Sequence, residues 1–444
     1  MSILRFNLMH HSAEQITLKN IDKKRIRVGN LLIFACFFMY MMSMAVKAIY
    51  ASQIAYIQQM WQIGYAQTSL ANTFYFVTYG LTQVVLFFVM KKISIKKYIA
   101  YTVPFSAVCA ILMGTSSGIV EMWAYFGLLG ALQAGIYCGC NSVLTRYLPT
   151  KQLTKANKVM NLGFATGTVI AYTTSALCIT YDKWRIPYFI LGGIYMVSII
   201  VFLVSAYYAF RFRHINELLD KHQKDTKVKI DYDSDTILNL NSKKKIVWFY
   251  IINLILTFII TSIYYFVMNN ITPLLVKEHG LNESIAIYVS IIAPITMSFG
   301  PLMVISACNR RRNFVGQGVL YSLIILPMLL LLTFFYKSNV ILTLAMTIVV
   351  IILTKGVQTI SISVITFKMR KQINVGAYSA ITNAVASLAA GTTPTILGGI
   401  IDAKGWQTAY ATAFAIMAVF IVAMIVVNFI VCRSDKKRKA MQSA

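Results

Sequence analysis

Long uncharged apolar runs dominate this chain of 444 residues. Most of them are about 20 residues or longer, the length that an α-helix needs to cross a hydrocarbon core of about 30 Å. In a bilayer only helices and closed barrels satisfy every backbone polar group, and a transmembrane strand needs only about 10 residues. With a hydrophobic content of 58% and a mean hydropathy of +0.67, these runs predict an all-α, multi-pass membrane protein.

Twelve such runs occur, six in each half of the chain. Those of the first half are Val28 to Ala55, Gln67 to Met90, Tyr98 to Gly114, Met122 to Leu144, Val159 to Ile179 and Pro187 to Phe210. Those of the second half are Ile246 to Asn269, Ser284 to Ala307, Phe314 to Phe335, Val340 to Phe367, Asn374 to Ile401 and Gln407 to Val431. The prediction is twelve transmembrane helices.

Polar segments divide the spans into two halves. A charge-dense segment at residues 211–245 reads as a cytoplasmic linker between a first six-helix half at 28–210 and a second at 246–431. Residues 1–27 and 432–444 form polar, basic tails. The first tail has no apolar stretch followed by a small-residue cleavage site, so we interpret it as a cytoplasmic tail and not as a signal peptide.

The net charge of +27 first suggests a nucleic-acid partner, but the basic residues follow topology. Most of the 41 Lys and Arg lie in the two tails and the even-numbered connections. Such residues are enriched on the cytoplasmic side of a membrane. The pattern therefore predicts cytoplasmic termini, the lipid bilayer of the cell (bacterial-type inner) membrane as environment, and no nucleic-acid partner.

The interiors of the predicted spans contain no histidine and no carboxylate. All five histidines lie in tails or loops, and the carboxylates lie there too or, like Glu121 and Asp402, at span edges. Proton-driven carriers and cation exporters usually need a buried acid or histidine, so exchange or uniport is expected instead. The sequence shows no cluster of catalytic residues, so an enzyme is not predicted. Cys138 and Cys140 lack the CxxC spacing of a metal site. No metal and no cofactor are expected.

Two lysines, Lys47 and Lys355, lie inside predicted spans one and ten. A lysine at a span centre costs about 2.5 to 3.5 kcal/mol on insertion scales, and no buried carboxylate is available to offset that cost. Each lysine could face a hydrated cavity, bond backbone carbonyls or lie nearer the interface. We favour a pair of cations that face one central cavity, where an organic anion binds between them.

Polar side chains of other spans could line the same cavity. Tyr40, Ser43 and Lys47 are spaced i, i+3 and i+7, so they share one helical face. Helix packing or interfacial anchoring is the alternative for any single tyrosine. The remaining candidates for substrate binding are Tyr79, Gln83, Gln133, Tyr137, Asn161 and Tyr265.

A short pattern recurs half a chain length later. Asp182, Trp184 and Tyr188 follow predicted span five, and Asp402, Trp406 and Tyr410 follow span eleven with Tyr again four residues past Trp. With the six-plus-six count, the recurrence indicates a parallel repeat, an arrangement that places a binding site between halves.

Several segments resemble the major facilitator superfamily, and within it the organophosphate:phosphate antiporter branch that includes glycerol-3-phosphate and hexose-phosphate transporters. The segments that carry the resemblance are MYMMSMAVKAIYASQIAYI, TYGL, GALQAGIYCGC, VMNLGFATG and TILGGIIDAKGW. The resemblance implies that a basic residue of helix one and an arginine of helix seven grip the substrate phosphate. Lys47 falls on the helix-one position, and Tyr40 and Tyr79 fall on cavity tyrosines.

The chain departs from that family at four positions of the implied site. Tyr265 stands at the helix-seven arginine, Gln83 at a helix-two lysine and Phe164 at a helix-five histidine, while Lys355 stands at a helix-ten cavity tyrosine. The second half therefore supplies its cation from a different helix. The predicted function is secondary transport of a small organic anion by a monomer, with a sugar phosphate, another organophosphate or a carboxylate as substrate. The alternative is a membrane sensor of an extracellular organic anion.

Overall fold

The computed structural model describes residues 2–89, 95–148, 150–211, 243–310, 314–365 and 375–442. Within these ranges the regular structure is helical, which confirms the all-α prediction. The helices are α1 (Ser2–Trp61), α2 (Tyr65–Val89), α3 (Ile95–Thr115), α4 (Ile119–Gln133), α5 (Ile136–Tyr147), α6 (Thr150–Thr180), α7 (Ile186–Arg211), α8 (Lys243–His279), α9 (Glu283–Ser290), α10 (Ile292–Thr296), α11 (Phe299–Arg310), α12 (Phe314–Phe335), α13 (Val340–Thr359) and α14 (Val375–Gln442). A π-helical segment, Ile360–Val364, continues α13.

Ten segments of the described chain are long and apolar enough to cross a membrane. One of them, Ile381–Phe429, has 49 residues, more than twice the length of a typical span, and Gly405 inside it has non-helical φ and ψ of 80° and 174°. Helix α2 is not among the ten. The count of twelve and the cytoplasmic termini therefore stay predictions.

The predicted linker at 211–245 lies almost wholly outside the described residues, and the tail at 1–27 is helical from Ser2.

Local chemistry explains where several helices begin and end. Gly280 follows α8 with a φ of +65°, which glycine adopts without steric cost. The N–H of Gly280 donates to the carbonyl of Val276 at 3.1 Å, the closing bond of an αL motif. The amide oxygen of Asn282 caps α9 at 3.0 Å, and that of Asn339 caps α13 at 2.8 Å.

The helices present apolar side chains outward and bury polar ones. On α2, Leu81, Val85 and Phe88 lie on one exposed stripe, as expected of a face that meets lipid. Between α1 and α6, the buried Ser52 donates to Ser175 at 2.8 Å. Interhelical hydrogen bonds of this kind hold membrane helices together, because lipid is itself apolar and burial of apolar surface does not drive helix association there.

The buried apolar side chains form two clusters. One is built almost wholly from residues 32–209, and the other from residues 249–427. Tyr265 packs against both clusters. The two groups of helices contact each other chiefly through α2 against α14, α6 against α9 and α10, and α1 against α8.

Hydrogen bonds join the two groups of helices along α2 and α14. Thr73 donates to the carbonyl of Gly391 at 2.7 Å and lies 2.7 Å from the hydroxyl of Thr395. At the start of α2, the carboxylate of Asp402 accepts the backbone N–H groups of Tyr65 and Ala66, each at 2.9 Å. A carboxylate there satisfies free N–H groups and complements the positive end of the helix dipole.

The recurring tryptophans lie beside this contact. Trp406 packs edge-on against Tyr65, with ring centroids 5.3 Å apart, and Trp184 packs edge-on against Trp61 at 6.0 Å. Asp182 accepts the hydroxyl of Tyr56. Each copy of the pattern therefore anchors its helix end to the region where α1 ends and α2 begins.

Glycines allow the closest approaches between helices. A Cβ on Gly167 of α6 would overlap the carbonyl oxygen of Met41 on α1, whereas a Cβ on Gly193 of α7 would meet no heavy atom within 4 Å. The GFATGTV segment thus allows α6 and α1 to contact each other through their backbones.

We expect Gly167→Ala to destabilise the protein by about 1 to 3 kcal/mol, because the added methyl group overpacks a backbone contact. The matched variant Gly193→Ala should be neutral or stabilising by up to about 1 kcal/mol, since alanine has the higher helix propensity. Thermal unfolding of both variants in detergent checks this, and a Gly167→Ala protein as stable as Gly193→Ala would contradict it.

Candidate functional site

Lys47 of α1 is half-buried among aromatic rings. Its Nζ lies 4.4 Å from the ring centroid of Phe76, 5.0 Å from that of Tyr75 and 5.9 Å from that of Phe164. Cation–π contacts of this kind offset part of the cost of removing an ammonium group from water. Among the described residues, no carboxylate and no hydrogen-bond acceptor contacts this ammonium group, so its N–H donors stay available.

Lys355 of α13 is also half-buried, but its ammonium group makes a side-chain hydrogen bond. Its Nζ donates to Oε1 of Gln358 at 2.9 Å and lies 4.8 Å from the ring centroid of Tyr264. Gln358 in turn donates from Nε2 to Oγ1 of Thr261 on α8 at 2.8 Å. A neutral amide and a ring therefore hold the ammonium group without neutralising it.

Aromatic rings connect the two lysines across the contact between the groups of helices. Phe76, which contacts Lys47, packs edge-on against Tyr265 at 5.0 Å, and Tyr265 packs against Tyr264 at 4.9 Å. The structure thus brings together the two cations that the sequence singled out, one from each half.

Three predicted tyrosines of the first half and Tyr265 lie around the lysines. Tyr79 stacks on Tyr75 at 5.9 Å, and Tyr40 packs against Tyr137 at 5.0 Å. Tyr40, Tyr79, Tyr137 and Tyr265 are all half-buried. Tyrosines from both halves therefore lie in the aromatic surroundings of the two cations.

The other predicted residues take positions that bind helices together. Gln133 is buried, accepts the hydroxyl of Tyr75 at 2.8 Å and donates to the backbone carbonyl of Ser43 at 3.1 Å. Ser43 itself is fully buried. Gln83 donates to the carbonyl of Ala134 at 3.4 Å. The side chain of Asn161 lies outside the described residues.

Two helix irregularities flank the site. Helices α4 and α5 are separated at Ala134 and Gly135, where a Cβ on Gly135 would overlap the ring of Tyr98. The π-helical segment Ile360–Val364 begins two residues after Gln358. Such segments occur frequently at functional sites, and here Asn253 of α8 donates to the Ser361 carbonyl at 3.1 Å.

Sequence reasoning missed the residues that support the lysines. Tyr75, Phe76 and Tyr264 read as ordinary apolar core positions, because an aromatic residue in a span is usually a packing residue. Gln358 could have been found, since it lies three residues after Lys355 and so on the same helical face. Nothing in the chain order indicated Thr261.

Comparisons with known proteins agree with this architecture. The family model described as Major Facilitator Superfamily matches residues 33–372. No curated protein matches the chain. A bacterial homologue of the human lysosomal transporter Spinster, in an inward-facing and unoccupied conformation, is similar in structure with a TM-score of 0.67 and 13% identity, over 92% of this chain and 98% of that one. The nucleoside transporter NupG has a TM-score of 0.64 and 13% identity, over 90% of this chain and 98% of its own.

At 13% identity these two likenesses concern the fold alone. The family match, in contrast, covers more than half of the chain and includes both lysines. Together with the apolar helices that could cross a membrane, it identifies a transporter rather than an enzyme. The chain belongs to the Major Facilitator Superfamily and is a multi-pass membrane transport protein.

Proposed function

We propose that the protein is a secondary carrier of a small organic anion, which binds between Lys47 and Lys355. The substrate is a sugar phosphate, another organophosphate or a carboxylate. The observation that carries the proposal is the pair of ammonium groups, one from each half, whose described neighbours are aromatic rings and a neutral amide. Two unneutralised cations in a membrane interior are costly, and an anion offsets that cost.

The setting of the lysines also supports binding from both halves at once. Lys47 comes from α1 and Lys355 from α13, and the contact of Phe76 with Tyr265 connects the rings beside the two lysines. An anion held by both would attract the two halves toward each other. Release would then follow when the halves rock apart, which is how alternating access at a shared site works.

The second half contributes its cation from a different helix than the organophosphate branch implies. Tyr265 stands at the implied arginine position of helix seven, and it packs beside the cations without adding a charge. Lys355 supplies the second cation instead. An organophosphate remains a candidate because an ammonium group binds phosphate as a point charge, and a carboxylate is a candidate for the same reason.

Replacing either lysine tests the proposal. We expect Lys47→Ala and Lys355→Ala each to weaken anion affinity by about 10- to 150-fold, since a hydrogen bond to a charged group contributes about 1.5 to 3 kcal/mol. The measurement is counterflow in proteoliposomes with labelled inorganic phosphate, glycerol 3-phosphate and succinate. The exposed Lys97→Ala serves as a control with unchanged affinity.

Unchanged affinity in both site variants would reject the lysine site. Ligand-induced thermal stabilisation of the purified protein is measured in parallel, because a ligand that binds the native state raises the melting temperature. Stabilisation by an anion without any counterflow would favour the sensor over the carrier.

The contact between Asp402 and the start of α2 bears on the transport cycle. The distribution of Lys and Arg assigns this end of the helices to the extracytoplasmic side, with both termini cytoplasmic. We infer that this contact closes the extracytoplasmic side and that the protein faces inward, the conformation named for the Spinster homologue to which it is similar in structure. Opening to the outside then requires Asp402 to leave the N–H groups of Tyr65 and Ala66.

Asp402→Ala should therefore favour outward opening, because it removes both acceptors from the closed contact. We expect a membrane-impermeant maleimide to label a cysteine at Thr73, in a background without native cysteines, roughly threefold to tenfold faster in this variant. Asp182→Ala is the matched control, since Asp182 is bonded to Tyr56 of its own half. Equal labelling rates in both variants would exclude the role given to Asp402.

A further inference from the structure

Lys355 is held by a side-chain hydrogen bond, whereas Lys47 is held by aromatic rings. This difference indicates a function for the residues that hold Lys355. Lys47 contacts rings alone among the described residues, whereas Lys355 donates to Gln358 at 2.9 Å. Gln358 is 4% exposed, and Thr261, which accepts its amide N–H at 2.8 Å, is fully buried. The three side chains form a continuous hydrogen-bonded chain from α8 to the ammonium group.

The donors and acceptors of the three side chains determine which way each of these hydrogen bonds runs. An ammonium group has only donors, so it requires the oxygen of the Gln358 amide and repels its NH2 group. The NH2 group must then point away from Lys355, and Oγ1 of Thr261 accepts from it. The ammonium group therefore fixes the orientation of the amide, and Thr261 accepts the N–H that this orientation turns away from Lys355 and so anchors the amide to α8.

A ring holds the ammonium group from another side. Tyr264, whose ring centroid lies 4.8 Å from Nζ, is itself held by a hydrogen bond from its hydroxyl to the sulfur of Met297 at 2.9 Å. Gln358 uses one of the three N–H donors of Lys355, which leaves donors for a ligand. The ammonium group is held in place, but its charge is not neutralised.

We propose that Gln358 and Thr261 are positioning residues that aim the Lys355 ammonium group at the transported anion. The proposal rests on the proposed function, because it assigns these residues a role in anion binding at the same site. A neutral amide is essential to that role. A carboxylate at the same place would pair with Lys355 and compete with the substrate.

Gln358→Glu tests the proposal directly, since it preserves shape and changes charge. We expect the apparent affinity for the anion that stabilises the wild-type protein, among inorganic phosphate, glycerol 3-phosphate and succinate, to fall at least about tenfold. The maximal counterflow rate should change less than KM. Gln67→Glu, which adds the same charge at an exposed position near the start of α2, is the matched control with unchanged KM.

A second pair of variants tests the role of Thr261 and serves if Gln358→Glu fails to fold. Thr261→Val removes the acceptor for the amide and should raise KM about threefold, the equivalent of the average interhelical hydrogen bond in a membrane. Thr261→Ser keeps the hydroxyl group and should restore the wild-type KM. A merely structural role would lower the ligand-free melting temperature of Thr261→Val without raising KM.

The outcomes separate this inference from the proposed function. Loss of affinity in Lys355→Ala with wild-type KM in Gln358→Glu and in Thr261→Val overturns the positioning role and leaves the anion site intact. Unchanged affinity in both Lys47→Ala and Lys355→Ala overturns the anion site and the positioning role with it. A raised KM in Gln358→Glu and Thr261→Val, restored in Thr261→Ser, supports both.

Discussion

The poor solvation of charge in hydrocarbon is the constraint on which the rest of this structure depends. Backbone polar groups satisfy each other within helices, and carboxylates such as Asp402 lie at helix ends, where backbone N–H groups donate hydrogen bonds to them. Lys47 and Lys355 are the exceptions. Each is held by groups that stabilise a cation without neutralising it, rings for Lys47 and a ring with an amide for Lys355.

An aromatic contact joins the two halves beside the two lysines. Phe76, whose ring lies beside Lys47, packs edge-on against Tyr265. Tyr265 packs on the apolar clusters of both halves, so movement of one half against the other changes the surroundings of both cations. In the proposed carrier, the anion and this aromatic contact would together couple the site to the relative position of the halves.

Some residues of the candidate site could be predicted from the sequence and others could not, for physical reasons. Lys47 and Lys355 could be recognised because a charged residue inside an apolar span is costly and usually has a function. Gln133 and Ser43 carry the same polar signal as a cavity residue, yet Gln133 binds α1 to α2 and Ser43 is fully buried. Phe76 and Tyr264 carry no signal at all, because an aromatic side chain beside a cation has the same sequence appearance as one in the core.

The amino-acid sequence by itself determined that the chain forms apolar helices and that two of them carry a lysine, because helix length and the cost of a buried charge are local properties. The tertiary structure decided which groups surround those lysines. Gln358 was within reach of a sequence argument through its helical spacing from Lys355, whereas Thr261 comes from α8, 97 residues away. Likewise, Asp402 reaches the start of α2 across more than 330 residues. Contacts of this kind depend on how separate helices pack, and helical periodicity carries no information about that.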